Sequence, residues 1–288
     1  LTLTETLKDE YEVVGFGHGA DVEGDVIDYK ALSRVVKGAH VLIHTASPTK
    51  ESWCKEHPYE ALRIIVIGSR NVRRSAEEHR VPLLIHFSTQ AVYSNFAKRP
   101  LPLREDMTLK PDTFYGALKA LAEEELTIME HGTWNMKQKK GPHVVILRPA
   151  NIYGIGSGVL RRNVVSIFAE NARNGMPLVL NGDGTQKVDF VHVRDIARLV
   201  EIILKKPAPK MPLVINAGAG KEVAIKDIAR IIADEMKRGK KKPPKIISKT
   251  VPKGAIAADR WLSIAKAKKY YGWRPKITLE KGIQELLN

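Results

Sequence analysis

Val81-Pro-Leu-Leu-Ile-His-Phe-Ser-Thr-Gln-Ala-Val-Tyr93, followed by Tyr115-Gly-Ala-Leu-Lys119, is the stretch on which the fold turns. The apolar run Val81–Phe87 reads as a buried strand, which puts the Thr89 hydroxyl at the strand's carboxyl end, where open α/β sheets place their ligands. A tyrosine and a lysine four residues apart on a helix share one face, so the Lys119 ammonium lies near the Tyr115 phenol. A phenol with a reference pKa of about 10 is a poor base at neutral pH, and a neighbouring cation favours the phenolate. Thr89, Tyr115 and Lys119 therefore form a candidate proton-transfer device around one substrate hydroxyl. A lone Tyr-x-x-x-Lys is more often a solvated pair. Here the strand-ending Ser-Thr, an intervening proline-containing loop (Arg99–Asp112) and Leu147-Arg-Pro-Ala-Asn-Ile-Tyr-Gly154 give it context.

Short apolar runs alternate with amphipathic stretches along the chain, the pattern of a mainly parallel sheet covered by helices. Strands are expected at Glu12–Phe16, His40–Thr45, Leu83–Phe87, His143–Arg148 and Leu213–Asn216. The longer helices are expected at 30–37, 59–79, 113–130, 160–174, 193–205 and 224–238, and His131–Pro142 reads as a surface excursion. The fold class is thus α/β, a mainly parallel sheet covered by helices.

At 288 residues and 43% hydrophobic, the chain is long enough for a large core. A single cysteine, Cys54, excludes an internal disulfide and points to a reducing, cytoplasmic setting. No apolar run approaches the length of a membrane span, no signal peptide is visible, and the nine histidines lack metal-like spacing, so neither membrane nor metal is expected. The net charge of +15 reads either as a lysine-rich solvated surface of a heat-adapted protein or as attraction for a polyanionic ligand. The densest cluster, Lys237–Lys245, carries no interleaved aromatics, so nucleic acid is not an expected partner.

The order of these motifs resembles the extended short-chain dehydrogenase/reductase family, and within it the NAD-dependent epimerases and dehydratases of the UDP-glucose 4-epimerase type. The resemblance implies a nucleotide-sugar substrate and NAD as cofactor, with NADP not excluded because Gly17 stands where the family holds an acidic residue. It implies a Rossmann-like doubly wound parallel sheet with a smaller C-terminal α/β lobe, in which residues 1–155, with 187–216 returning to them, bind NAD(P) and 156–288 are mainly a substrate-binding lobe. It also implies Thr89, Tyr115 and Lys119 as catalytic residues. Gly24-Asp25-Val26-Ile27-Asp28 matches the family's G-D-x-x-D, in which Asp25 accepts from the adenine amino group, against a plain reading as a helix cap. Val41-Leu-Ile-His-Thr-Ala-Ser47 resembles the V-I-H-x-A-A element. By the same resemblance Asp25, Val26, Thr45, Ala46, Ser47, Ser88 and Pro149 join Tyr115 and Lys119 around the cofactor. His44 reads as a packed, hydrogen-bonded histidine.

On the substrate side the resemblance implies Asn151, Lys187 within Asn181–Asp195, and Lys253 within Pro252-Lys-Gly-Ala255, with lysine at two positions that ordinarily hold arginine. Asp189 and Asp195 are expected to be structural, the second as a helix cap, and Trp273 a core residue. Ile65 stands where the family carries an asparagine. Gln90-Ala91 replaces the acidic pair of a dehydratase, which disfavours dehydration. Two other readings stay open: a 3β-hydroxysteroid-dehydrogenase-like ketone reductase, motivated by His44–Ser47, and a non-catalytic scaffold binding protein or RNA.

The family's first strand and glycine-rich turn are missing from this sequence. It opens with what looks like the end of the first helix, Leu1–Glu10, and passes to the strand that ordinarily comes second. The expectation is a shortened form of a longer enzyme lacking roughly 20 residues. Gly15-Phe-Gly-His-Gly19 resembles a glycine fingerprint but lacks its spacing. A homodimer through 59–79 and 113–130 is also implied.

Overall fold

The structure, a computed structural model, describes residues 2–131, 141–155, 163–206, 213–252 and 257–288. In chain order the elements begin with α1 (Thr2–Leu7), α2 (Tyr29–Val36), β1 (Val41–His44), α3 (Glu51–Glu56), α4 (Pro58–Leu62), a π-helical turn (Arg63–Ile67) and α5 (Gly68–Glu78). There follow β2 (Leu83–Phe87), a 3-10 turn (Gln90–Val92), α6 (Phe114–His131), β3 (His143–Pro149) and β4 (Asn151–Tyr153). Next come α7 (Val164–Arg173), β5 (Leu178–Asn181), β6 (Lys187–Val188), β7 (Phe190–His192), α8 (Val193–Lys205) and β8 (Leu213–Ala217). The chain closes with β9 (Val223–Ala224), α9 (Ile225–Arg238), β10 (Ile246–Lys249), α10 (Ala265–Tyr271) and α11 (Leu279–Leu287).

The main sheet is parallel, in the order β1-β2-β3-β8, with Ile43 opposite Ile85, Ile85 opposite Val145 and Leu147 opposite Ile215. Its strands are apolar on both faces because both are covered. Along β3, Val144 and Ile146 join Leu32 and Val36 of α2, Val72 and Ala76 of α5, and Leu126 of α6. Val145 and Leu147 point the other way, into Leu7 of α1, Ile196, Leu199 and Val200 of α8, Tyr271 of α10 and Trp273. A separate core joins α7, α9 and α11 through Phe168, Ile228, Ile232 and Ile283, beside the short pairs β5–β10, β6–β9 and β4–β7.

Glu12–Phe16 is not a strand. Only one bridge, Phe16 to Val22, forms there, and Val14 is 54% exposed. A strand needs a neighbour to satisfy its backbone. This segment instead closes on itself, with Gly15 N donating to Asp21 Oδ2 at 2.7 Å and Gly17 N to the Val22 carbonyl at 3.1 Å. The helix expected at 59–79 runs without a break from Pro58, which opens it, to Glu78, but it is widened midway by the π turn, with Gly68 N bonded to the Arg63 carbonyl. Helices α3, α10 and α11 and the short strands β4, β5, β6 and β9 were not anticipated. Most of the excursion expected at His131–Pro142 lies outside the described residues. Among the described residues no helix is long and apolar enough to cross a membrane.

Candidate active site

The ends of three adjacent strands, His44 of β1, Phe87 of β2 and Pro149 of β3, bring together most of the residues singled out in the sequence. Thr89 opens the 3-10 turn, its Oγ1 accepting from Ala91 N at 3.2 Å. The start of α6 is held by the Glu51 carboxylate, which accepts from Phe114 N and Tyr115 N, both at 2.9 Å, and so satisfies two donors a helix N-terminus leaves unpaired. Gly116 lets this first turn rest on the 3-10 turn, because a β-carbon there would stand 2.6 Å from the Ala91 carbonyl oxygen. Tyr115 is thereby set beside the turn that Thr89 opens. It packs, partly buried, with Trp53 and Phe114 around Cys54, Ile65 and Leu118.

One turn along α6, Lys119 is only 2% exposed and its Nζ donates to the Phe87 carbonyl at 2.6 Å. The same nitrogen lies 3.3 Å from His86 Nε2. An ammonium can only donate, so His86 Nε2 accepts and the ring proton sits on Nδ1, which is buried without a partner. His44 is a packed, hydrogen-bonded histidine, as expected. Its Nε2 is 3.0 Å from Ser69 Oγ, which donates to the Ile65 carbonyl at 2.6 Å. Burial, reinforced by the Lys119 charge, pulls the His44 pKa down to about 3 and holds His86 well below its ordinary value. Burial also pulls Lys119 down to about 8, against the opposing pull of Glu123.

Glu123 is the residue that sequence reasoning missed. Tyr115, Lys119 and Glu123 follow at four-residue spacing on α6, the signal that could have found it. Its buried carboxylate accepts from Arg148 Nη2 at 2.5 Å and Nε at 3.0 Å, and from the Ser88 hydroxyl. Arg148 Nη1 continues to the Tyr93 hydroxyl at 2.9 Å, which donates to Asn216 Oδ1 at 2.8 Å. Asn216 Nδ2 ends on the Leu103 carbonyl at 3.0 Å. Ser88, expected at the cofactor, thus also anchors a buried polar network beneath the strand ends.

Asp25 forms an Asx turn, Ile27 N donating to its Oδ1 at 3.1 Å, while the cap of α2 is Asp28. Val26 is buried, with Asn71 Nδ2 on its carbonyl at 3.0 Å; a β-carbon on Gly68 would stand 2.6 Å from its Cγ2. Thr45, Ala46 and Ser47 follow β1, and Ser47 Oγ donates to the Pro48 carbonyl at 3.0 Å.

On the substrate side, Asn151 Nδ2 donates to the Asp189 carbonyl at 2.9 Å. Lys187 is exposed, its Nζ 3.8 Å from Glu222 Oε1. Lys253 lies outside the described residues. Asp189 is a structural acceptor for Ala219 N, Gly220 N and Leu262 N. Asp195 is not the cap of α8. That cap is His192, and Asp195 instead receives Lys276 N and Ile277 N, tying the C-terminal segment to α8. Trp273 is fully buried, its Nε1 donating to the Asp195 carbonyl at 3.0 Å.

A strand-end hydroxyl and a helix carrying Tyr-x-x-x-Lys are here brought to the same end of the sheet, groups of a kind that can donate or accept a proton. The profile of the NAD dependent epimerase/dehydratase family matches residues 2–218, and the chain belongs to that family. It is 28% identical to a putative UDP-glucose 4-epimerase of Methanocaldococcus jannaschii over 271 residues, 93% of this chain and 82% of the relative. It is likewise 28% identical to a UDP-glucuronate 4-epimerase of Thermodesulfobacterium geofontis over 270 residues, 92% of this chain and 77% of the relative. In fold it matches the UDP-glucose 4-epimerase of Thermotoga maritima with a TM-score of 0.84 at 22% identity, over 99% of this chain and 93% of that one.

NAD is the cofactor of the family. The chemistry of the strand ends fits its nicotinamide half, because the Lys119 ammonium keeps donors beyond the one given to the Phe87 carbonyl and the Thr89 hydroxyl is a further polar group there, while the Ser88 hydroxyl is already spent on Glu123. The glycine cluster at 15–19 is not a pyrophosphate cradle, since Gly15 N and Gly19 N are occupied by the Asp21 and Glu23 carboxylates.

Proposed function

We propose that the protein is a nucleotide-sugar 4-epimerase or a closely related oxidoreductase, with Tyr115 as acid/base. The observation that supports this reading is the seating of the first turn of α6, at Gly116, against Ala91 of the turn that Thr89 opens, with Lys119 buried at Phe87 one helical turn beyond Tyr115. The names of the two relatives support a UDP-linked hexose as substrate. NAD, when bound across the strand ends, supplies the hydride acceptor and returns the hydride. Thr89 holds the reacting sugar oxygen by hydrogen bonding. Tyr115 removes the hydroxyl proton and gives it back, and the Lys119 cation favours the phenolate that does so. Gln90, buried with its Oε1 unpartnered, supplies no acid at the position after Thr89, which fits epimerisation better than elimination of water.

In the same reading Asp25, Val26, Thr45, Ala46, Ser47, Ser88 and Pro149 line the cofactor, and Asn151, Lys187 and Lys253 the nucleotide diphosphate. Residues 59–79 and 113–130 form the interface of a homodimer, a reading supported by Tyr59 at 70% and Leu121 at 51% exposed. The test is chromatographic resolution of UDP-galactose and UDP-glucose after incubation with either sugar and NAD. Tyr115→Phe is expected to lower turnover by about 10²–10⁴. Undiminished turnover in the variant would remove Tyr115 from the mechanism.

A further inference from the structure

Arg260 has a position and a charge that the reaction outlined above leaves unused. Its backbone bridges Val188, with Arg260 N donating to the Lys187 carbonyl at 2.9 Å. Two residues earlier, Ala258 N donates to the Asn95 carbonyl at 2.9 Å, in the loop that follows the 3-10 turn. Arg260 therefore lies on a segment running between Lys187, on the diphosphate side, and the loop that leads from Thr89 to Tyr115.

The guanidinium is poorly served for a group so placed. Nη1 donates to the Ala258 carbonyl at 3.2 Å, while Nε is buried without any partner. Among the described residues no carboxylate lies within ion-pair distance of it, whereas the buried guanidiniums of Arg73 and Arg148 are paired with Glu77 and Glu123. Burial pulls the pKa of Arg260 down, and Asp112 is the acid whose charge opposes this. Asp112 is already engaged by Ser94 Oγ at 2.5 Å and by Asn95 N, Phe96 N and Ala97 N at 2.7, 2.8 and 3.0 Å. An arginine of this kind is costly unless an anion arrives, and its planar fork is matched by a carboxylate.

We infer that Arg260 receives a carboxylate carried by the sugar of the substrate, so that the preferred substrate class is a nucleotide-linked hexuronic acid. The inference rests on the nucleotide-sugar reading above. It assigns to Arg260 the choice between acidic and neutral sugars, leaving the diphosphate to other cations.

The test is calorimetric titration of the full chain, with NAD present, using UDP, UDP-glucose and UDP-glucuronate against the native protein, Arg260→Gln and Arg260→Lys. The expected result is that UDP-glucuronate binds the native protein more tightly than UDP-glucose. Arg260→Gln should weaken UDP-glucuronate tenfold or more while leaving UDP and UDP-glucose within twofold, and Arg260→Lys should fall between. The melting temperature of Arg260→Gln should change little, because the arginine is only partly buried and has no anion to lose. Equal weakening of all three ligands, or of none, overturns the assignment while UDP binding leaves the nucleotide-sugar reading standing. Failure of the native protein to bind UDP at all overturns both.

Discussion

Replacing Glu123 by glutamine isolates the charge beneath the site from its packing, because the side chain keeps its volume. The native carboxylate receives two nitrogens of Arg148 and the Ser88 hydroxyl, and Arg148 is only 4% exposed. In Glu123→Gln the guanidinium keeps the Tyr93 hydroxyl but loses its anion. Breaking a buried pair by removing one partner costs about 3–5 kcal/mol, and an amide oxygen that still accepts one hydrogen bond places the loss near about 3 kcal/mol. At about 2–4 °C per kcal/mol for a chain of this size, the melting temperature should fall by about 6–12 °C. Equilibrium denaturation in urea at pH 7, applied also to Arg148→Met and to the double variant, completes a thermodynamic cycle. The double variant should be more stable than Glu123→Gln alone, with a coupling of about 2 kcal/mol, since it no longer buries an unpaired cation. A loss below about 0.5 kcal/mol with additive single effects would show that solvent reaches the pair and that the network carries no such energy.

Lys119 has a folded pKa of about 8 against 10.5 for the exposed group, so its cation opposes folding below pH 8. The unfolded chain binds the extra proton between those values, and stability should therefore rise as pH increases from about 8 to 10.5. Lys119→Met should flatten that rise, as read by denaturant midpoints at pH 7 and 10, while activity is lost. Gly116→Ala puts a β-carbon 2.6 Å from the Ala91 oxygen and 2.8 Å from Thr113 Oγ1, so α6 must shift off the 3-10 turn. The expected outcome is a loss of about 1–3 kcal/mol in denaturation and a fall in kcat larger than the change in KM. Unchanged kcat would mean that this seating does not position Tyr115.

The parallel sheet was legible because β2, β3 and β8 are short apolar runs with turn residues at their ends, and the helices α2, α6, α8 and α9 because their apolar residues recur at helical spacing. Glu12–Phe16 has the same local character, yet strand formation depends on a neighbour that no local pattern reports. The π turn in the middle of 59–79 was invisible for a similar reason, since a widened turn changes hydrogen bonds and not composition. Thr89, Tyr115 and Lys119 could be found from spacing on single elements. Glu123, Arg148, Tyr93 and Asn216 could not be assembled that way, because their contacts cross from α6 to β3, the 3-10 turn and β8. Asp195 was misread as a cap because its partners, Lys276 N and Ile277 N, come from far along the chain.

The hydrogen-bonded series from Ser88 through Glu123, Arg148 and Tyr93 to Asn216 crosses three neighbouring strands and one helix. Opening β3 alone would strand the Glu123 charge, and losing Ser88 beside β2 or Asn216 on β8 would leave a buried carboxylate or phenol short of one hydrogen-bond partner, so the strand ends are expected to open together. In hydrogen-exchange terms the amides at the floor of the site should share a common protection.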